Sequence, residues 1–339
     1  MRYLYFVILF FCVFLFSSCT YHFKLDDIIE SPKLVLYCYP GSGDTTIVHL
    51  SRSLPVSQKG ELSQGLKAAN VLISVNDETM HFSWTNDSIP GIPAQSYYVV
   101  KKYKDGDKIN ITASADGMKT VSATTIIPKP FPLKSVDLIR KETDMDKLQF
   151  QIHFDDDAST KDYYAMRIEY KQMYWSNENY SESISPIVFD LDDEPLLNNS
   201  SGLDDILMNE NDFYQNLYYW DDTKIQGKSY TFRLNTYYMA DYEDDFITPD
   251  GYEHIVCKTK YRVILYSLSE EFYKFLKSLN EQKNNGLGHS ELVPIRATYT
   301  NVINGIGVVG GCRILRTQWI DNLKDDCIEC FTVRVRCCH

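Results

Sequence analysis

The chain has 339 residues, 44% of them hydrophobic and 24% charged, with only 16 Gly and 12 Pro. This balance excludes a disordered, collagen-like or coiled-coil chain and sets the expectation of two or three globular domains. The 34 basic residues stand against 46 acidic ones for a net charge of -12, which repels phosphate backbones, so no nucleic acid is expected as a partner.

The first segment reads as an address. Arg2 is the only charge before an apolar run from Tyr3 to Phe16, and the small residues Ser17 and Ser18 precede Cys19. Fourteen apolar residues span about 21 Å as a helix, short of the roughly 30 Å hydrocarbon core of a bilayer, so residues 1–18 are read as a signal peptide rather than a membrane span. Phe16-Ser17-Ser18-Cys19 is similar to a bacterial lipobox, in which Cys19 is diacylated after cleavage. Residues 19–31, with Lys24, Asp26, Asp27 and Glu30, then form a polar, lipidated tether. Acyl chains such as palmitate are the expected membrane attachment.

Aromatic residues reach 14%, led by 25 Tyr, and such residues favour half-buried strands, so the expected fold class is mainly β. Seven short runs of β-branched and aromatic residues follow one another: Lys33 to Tyr39, Thr45 to Ser51, Asn70 to Asn76, Glu78 to Trp84, Tyr97 to Tyr103, Lys108 to Ala115 and Lys119 to Ile127. Gly- and Asp-rich turns separate them, and Asn76-Asp77 suits a tight hairpin because both residues tolerate positive φ. Residues 32–128 are therefore expected to form a β-sandwich. Pro128, Pro130 and Pro132 deny ladder donors and mark the linker. Beyond it, residues 133–339 are expected to form a second β-rich domain, with strands at Leu133 to Arg140, Lys147 to Phe154, Asp162 to Gln172, Lys228 to Tyr238 and Glu253 to Ser267. Residues 175–222, rich in Asp and Glu, read as a partly ordered acidic insertion. One amphipathic helix is expected at 268–283, with Ser267 and Glu270 as a capping box, Phe272, Phe275, Leu276 and Leu279 on one face, and Asn284-Asn285-Gly286 as its stop.

Several pieces carry a resemblance. The lipobox at Cys19, Leu50-Ser51-Arg52-Ser53, Gly117 to Pro128, Asp221 to Tyr230, Ser267 to Leu279 and Tyr299 to Gly307 occur in an order that resembles a Bacteroidetes lipoprotein family known as domain of unknown function 4249. The resemblance implies an Ig-like N-terminal sandwich, outer-membrane anchoring with an open question of periplasmic or cell-surface exposure, and pairing with TonB-dependent receptors. It implies no catalytic residue.

Four constellations bear on chemistry. Gly305, Gly307 and Gly310 spell a dinucleotide-binding fingerprint, but strand-like sequence follows where a helix is required, so the glycines are read as a bend or a close backbone approach. Cys312, Cys327, Cys330, Cys337, Cys338 and His339 crowd the C-terminus. An exported chain would use them for disulfides, while Cys327 and Cys330 also have metal-ligand spacing, and both readings stand. With Cys12 cleaved and Cys19 acylated an odd count remains, leaving Cys38 or Cys257 as the unpaired thiol. The acidic clusters Asp155 to Asp157, Asp190 to Glu194 and Asp241 to Asp245 read as solvated loop acids or, alternatively, as calcium ligands. Tyr218, Tyr219, Trp220, Tyr237 and Tyr238 read as an aromatic ligand platform or as strand core. No HExxH, G-x-S-x-G or Walker signature occurs; the chain is expected to be no enzyme and to need no cofactor. The expected function is a non-catalytic accessory or ligand-capture lipoprotein of a TonB-dependent uptake system, with a surface adhesion or scaffold role, or a metal-binding role of the Cys-rich tail, as alternatives.

Overall fold

The computed structural model describes residues 31–54, 65–141, 144, 146–177, 179–191, 193–197, 216–248, 251–284, 297–321, 323 and 332–336. In β1 (Leu34–Cys38) buried and part-buried side chains alternate, and in β2 (Thr45–Arg52) they do so over most of the strand. Period two puts every second residue on one face. These two strands join β17 (Ile306–Val309), β6 (Ser96–Val100) and β5 (Ser83–Thr85) in the order β17-β1-β2-β6-β5. A second sheet orders β4 (Glu78–His81), β3 (Ala69–Val75), β7 (Lys108–Ala115) and β8 (Val121–Ile126) as β4-β3-β7-β8. Leu36, Val48 and Leu50 from the first sheet share a core with Ile73, Ile109 and Ile111 from the second, so the N-terminal body is a sandwich. Asn76 and Asp77 have φ of 46° and 76° between β3 and β4, the left-handed pair a two-residue hairpin needs. The run Glu78 to Trp84 breaks at Phe82 into β4 and β5, which belong to opposite sheets.

β17 crosses the expected domain boundary. It was expected within the second domain, yet it pairs in parallel with β1, Val35 opposite Ile306 and Cys38 opposite Val309. The glycines explain how. Gly307 has φ +111°, and a Cβ on it would stand 2.1 Å from the carbonyl oxygen of Leu36; a Cβ on Gly311 would stand 2.1 Å from that of Ile126. Only a residue without a side chain fits either position. The close-approach reading of the glycines matches this geometry, and β18 (Cys312–Arg316), not a helix, follows.

The second body also pairs two sheets. One orders β14 (Ser229–Tyr237), β10 (Lys147–Asp155), β9 (Leu133–Arg140) and β20 (Thr332–Arg336) as β14-β10-β9-β20. The other is built on two long strands, β11 (Tyr163–Ser176) and β16 (Gly251–Leu268), with β12 (Asn179–Pro186) and β15 (Tyr242–Thr248) outside them. Short β13 (Tyr218–Asp221) pairs with β11, and β18 and β19 (Ile320–Asp321) pair with β16. Phe150, Phe154 and Phe232 meet Tyr164, Met166 and Tyr261 between the sheets. The expected acidic insertion at 175–222 thus contains two strands, β12 and β13. In β12, serines alternate with larger residues and the strand is almost wholly exposed, which leaves little hydrophobic signal to read.

The helix α1 (Glu270–Asn284) lies where expected, but its cap differs. Ser269 Oγ accepts a hydrogen bond from the Phe272 amide at 3.3 Å, Ser267 belongs to β16, and Glu270 pairs with Lys274 at 2.9 Å. Strand pairing extends to Leu268, so the first free side chain becomes the cap. Phe272 stacks on Tyr39 with ring centres 4.6 Å apart, Phe275 lies 6.0 Å from Tyr37, and on the other side Tyr273 lies 4.8 Å from Tyr163. Glu271 accepts a hydrogen bond from Thr125 at 3.0 Å. The helix is wedged between the two bodies.

Candidate functional site

Strand register sorts the long sheet into two faces, because directly opposed residues share a side and successive residues alternate. Trp175 lies opposite Tyr180 and Val256, Lys171 opposite Ile184 and Lys260, and Tyr252 opposite Ile247. Counting by twos along β11 and β16 places all of these on the face that carries Tyr163 and Ala165, which α1 covers. The cover ends near Arg262, which pairs with Glu169 at 2.7 Å and lies 4.4 Å above the Trp319 ring. Farther out, Trp175, Tyr180, Ile184, Tyr252 and Ile247 are all exposed, Tyr252 at 63% and Ile247 at 93%. Trp175 and Tyr180 hold ring centres 5.3 Å apart. His254 sits among them between Asp245 at 2.7 Å and Glu243 at 3.3 Å, and the hydrogen bond to Asp245 raises its pKa. An exposed apolar patch rimmed by charge has the character of an interaction surface.

The aromatic residues singled out in the sequence do not form that surface. Tyr218 and Trp220 are buried in the core of the second body, because β13 lies against β11 and turns alternate side chains inward. Tyr219 packs beside Tyr273 at 5.7 Å, and Tyr238 lies under Arg140 at 4.0 Å and donates its hydroxyl to the Leu323 carbonyl. Tyr237 alone is fully open to solvent. The five are divided among core, helix contact and solvent and do not share one exposed face.

Cys312 is a free thiol buried near α1, and burial pushes its pKa up to about 12. It is neither in a disulfide nor, among the described residues, grouped with other metal-ligating side chains. The other members of the expected tail constellation, Cys327, Cys330, Cys337, Cys338 and His339, lie outside the described residues. Cys38 and Cys257 are likewise buried and free.

The acidic clusters depart from the solvated-loop reading in two of three cases. Glu194 is buried and accepts hydrogen bonds from the Tyr230 hydroxyl and the Arg233 and Leu196 amides, while Asp193 binds Lys141 at 2.5 Å and Asn235 at 2.7 Å. Asp241 to Asp245 stays near the surface. The cluster Asp155 to Asp157 divides. Asp155 pairs with Lys134 and Asp157 with Lys129 at 2.6 Å, whereas Asp156 points inward, 8% exposed. There it meets Asp162, at the entry to β11, and Asp222, which follows β13 and is 1% exposed. Carboxylate oxygens of the three all lie within 4.8 Å of one another. Asp156 accepts from the Tyr164 hydroxyl at 3.0 Å and the Gly227 amide at 2.8 Å, Asp162 from Thr160 at 2.7 Å, and Asp222 from the Asp162 amide at 2.7 Å. Burial, reinforced by the neighbouring negative charges, raises the pKa of Asp156 and of Asp162. This convergence joins residues 66 positions apart, and Asp222 stood in none of the clusters visible in the sequence.

Among the described residues no helix is long and apolar enough to cross a membrane. The family model Domain of unknown function (DUF4249) matches residues 20–318. No curated protein matches the chain. The match covers most of the sequence, so the chain belongs to this family.

Proposed function

We propose that this family member is a lipid-anchored, non-catalytic accessory or ligand-capture protein of the outer membrane that works beside a TonB-dependent receptor. The open face of the long sheet carries the reading: Trp175, Tyr180, Ile184, Ile247 and Tyr252 offer an apolar surface where the same face is covered by α1 at its other end. The family match starts at residue 20, immediately after Cys19, in keeping with a folded domain that follows an acylated N-terminus. Residues 20–33 reach at most about 50 Å when extended, which keeps the ectodomain close to the membrane surface and to neighbouring membrane proteins.

The test is purification of the tagged lipoprotein from native outer membranes in mild detergent, with identification of co-eluting proteins, for the wild type and for the triple variant Tyr180→Ser, Ile184→Ser, Ile247→Ser. A TonB-dependent receptor that elutes with the wild type and is lost from the variant supports the proposal. The same face also suits a surface adhesion or scaffold protein, and a clean monomer without a receptor moves the reading there. Metal in the eluate that disappears in the Cys327→Ser, Cys330→Ser double variant would assign the role to the tail instead.

A further inference from the structure

The three inward carboxylates of the second body hold more negative charge than their surroundings balance. No ion pair joins Asp156, Asp162 or Asp222 to a basic side chain among the described residues; Lys129, the nearby lysine, is bound to Asp157. Burying a carboxylate without a compensating partner is expensive. One atom makes the deficit specific: Asp222 Oδ1 is shut off from solvent and has no hydrogen-bond partner, although its residue is 1% exposed. The remaining polar groups are already used, with Tyr164 and Gly227 on Asp156 and Thr160 on Asp162.

We propose that Asp156, Asp162 and Asp222 bind one hard divalent cation, with calcium as the best fit. The donors are all oxygen, and carboxylate-only sets select calcium, magnesium or manganese over zinc and copper, which favour nitrogen and sulfur. Calcium accepts six to eight oxygens at about 2.3–2.6 Å, so ligands on opposite sides of the ion stand roughly 4.6–5.2 Å apart. Mutual separations within 4.8 Å fit inside that sphere. Magnesium needs a tighter octahedron of near 2.1 Å bonds, and three carboxylates fixed on two separate connections suit the looser ion. The cation would neutralise the buried charge and supply the missing partner of Asp222.

The site would also act as a clamp. Asp156 and Asp162 bracket the connection from β10 to β11, whereas Asp222 opens the connection from β13 to β14. Gly227 reaches across with its amide, at φ +68° and with Ala158 close beside it. Asp221, next to Asp222, accepts the hydroxyl of Tyr273 on α1 at 3.3 Å. Lys129 ties the interdomain linker to Asp157 in the same loop. One ion would therefore hold together the base of the long sheet, close to both helix and linker.

The experiment uses the full mature chain after chelator treatment, titrated with calcium, magnesium and zinc chlorides separately while thermal unfolding is followed, and with terbium while emission excited through aromatic residues is read; Tyr164 lies in hydrogen-bond contact with Asp156, close enough to sensitise the ion. One equivalent of calcium that raises the midpoint, and terbium emission that calcium displaces, are expected. Asp222→Asn and Asp162→Asn should each weaken calcium binding about 10-fold or more, since calcium affinity follows ligand charge count, while Asp244→Asn on the exposed cluster should leave it unchanged. Far-ultraviolet circular dichroism identifies any variant that fails to fold, and the wild-type titration decides the matter in that event. Absence of any calcium effect on the wild type overturns the proposal. Equal calcium affinity in folded Asp222→Asn, or a response to zinc alone, overturns it as well.

Discussion

The two ends of the β11/β16 sheet have the same strands, the same pairing and opposite surroundings. At the inner end, one face meets the Phe150 and Phe154 layer and the other meets α1; at the outer end, beyond Arg262, residues such as Ile247 and Tyr252 stand in solvent. Ladder hydrogen bonds alone do not explain the outer end, whose helix-side face is largely open while Cys257 and Thr259 stay buried on the other, because net backbone pairing contributes little once water is a competing partner. The inner end supplies the free energy, and the outer end is carried on it. The buried core and the exposed apolar face are thus separated along a single pair of strands.

Truncations should expose this division. Phe150→Ala removes a fully buried ring and is expected to cost about 3–5 kcal/mol, whereas Ile247→Ala should stay within about 0.5 kcal/mol; urea unfolding of both variants measures the contrast, and a comparable loss at Ile247 would show that the outer end is packed after all. At the joint that seats the helix, Gly307→Ala forces a Cβ against the Leu36 carbonyl at positive φ, with an expected cost of about 1–3 kcal/mol. Ser269→Ala removes the cap of α1 and should cost about 1 kcal/mol while leaving the outer face untouched.

The pH dependence at Asp193, which binds Lys141 and Asn235 beside the β14-β10-β9 sheet, differs in sign from that at His254 on the outer face of the long sheet. Hydrogen bonding to Lys141, then to Asn235, lowers the pKa of Asp193 in the folded state below its ordinary 3.8, so its contribution is present above that pH and is lost as pH falls through the folded value. Asp193→Asn should flatten the acid limb of the stability curve below pH 3.8. On the outer face Asp245 raises the pKa of His254 above 6.5, so this contribution is present below pH 6.5 and is lost as pH rises through the higher folded value. His254→Gln should remove a small alkaline slope there, the weakest of these effects because the pair is exposed. Denaturant midpoints taken across pH for both variants test the signs.

Most strands were legible because their physics is local. Burial in β1, β2, β3, β7 and β8 alternates in period two over most of each strand, and Asn76-Asp77 announces its hairpin through residues that accept positive φ. The three prolines mark a real change of sheet between β8 and β9. What escaped the sequence depends on distant partners. β17 is four residues whose destination, β1, lies at the other end of the chain, and β12 is a polar strand held by β11 rather than by a core of its own. Tyr218 and Trp220 were ambiguous for the same reason: an aromatic residue in a strand faces core or solvent according to its neighbour, and only register decides. Of the carboxylate triad, only Asp156 stood in a cluster legible in the sequence, Asp155 to Asp157. Asp222 lay in the Asp221 to Tyr230 segment that carried the family resemblance, with nothing local to reveal that its side chain would meet Asp156.

The parallel pairing of β1 with β17 bears on the order of assembly. The two strands are separated by about 270 residues, and contacts that close so long a loop form late and slowly. During synthesis the first sandwich is built early but keeps one edge of β1 unpaired, a template for unwanted strand pairing, until residues 306–309 arrive. The last strand of the N-terminal sheet is therefore supplied by the second body, and its late position in the sequence sets when the first sheet can be completed.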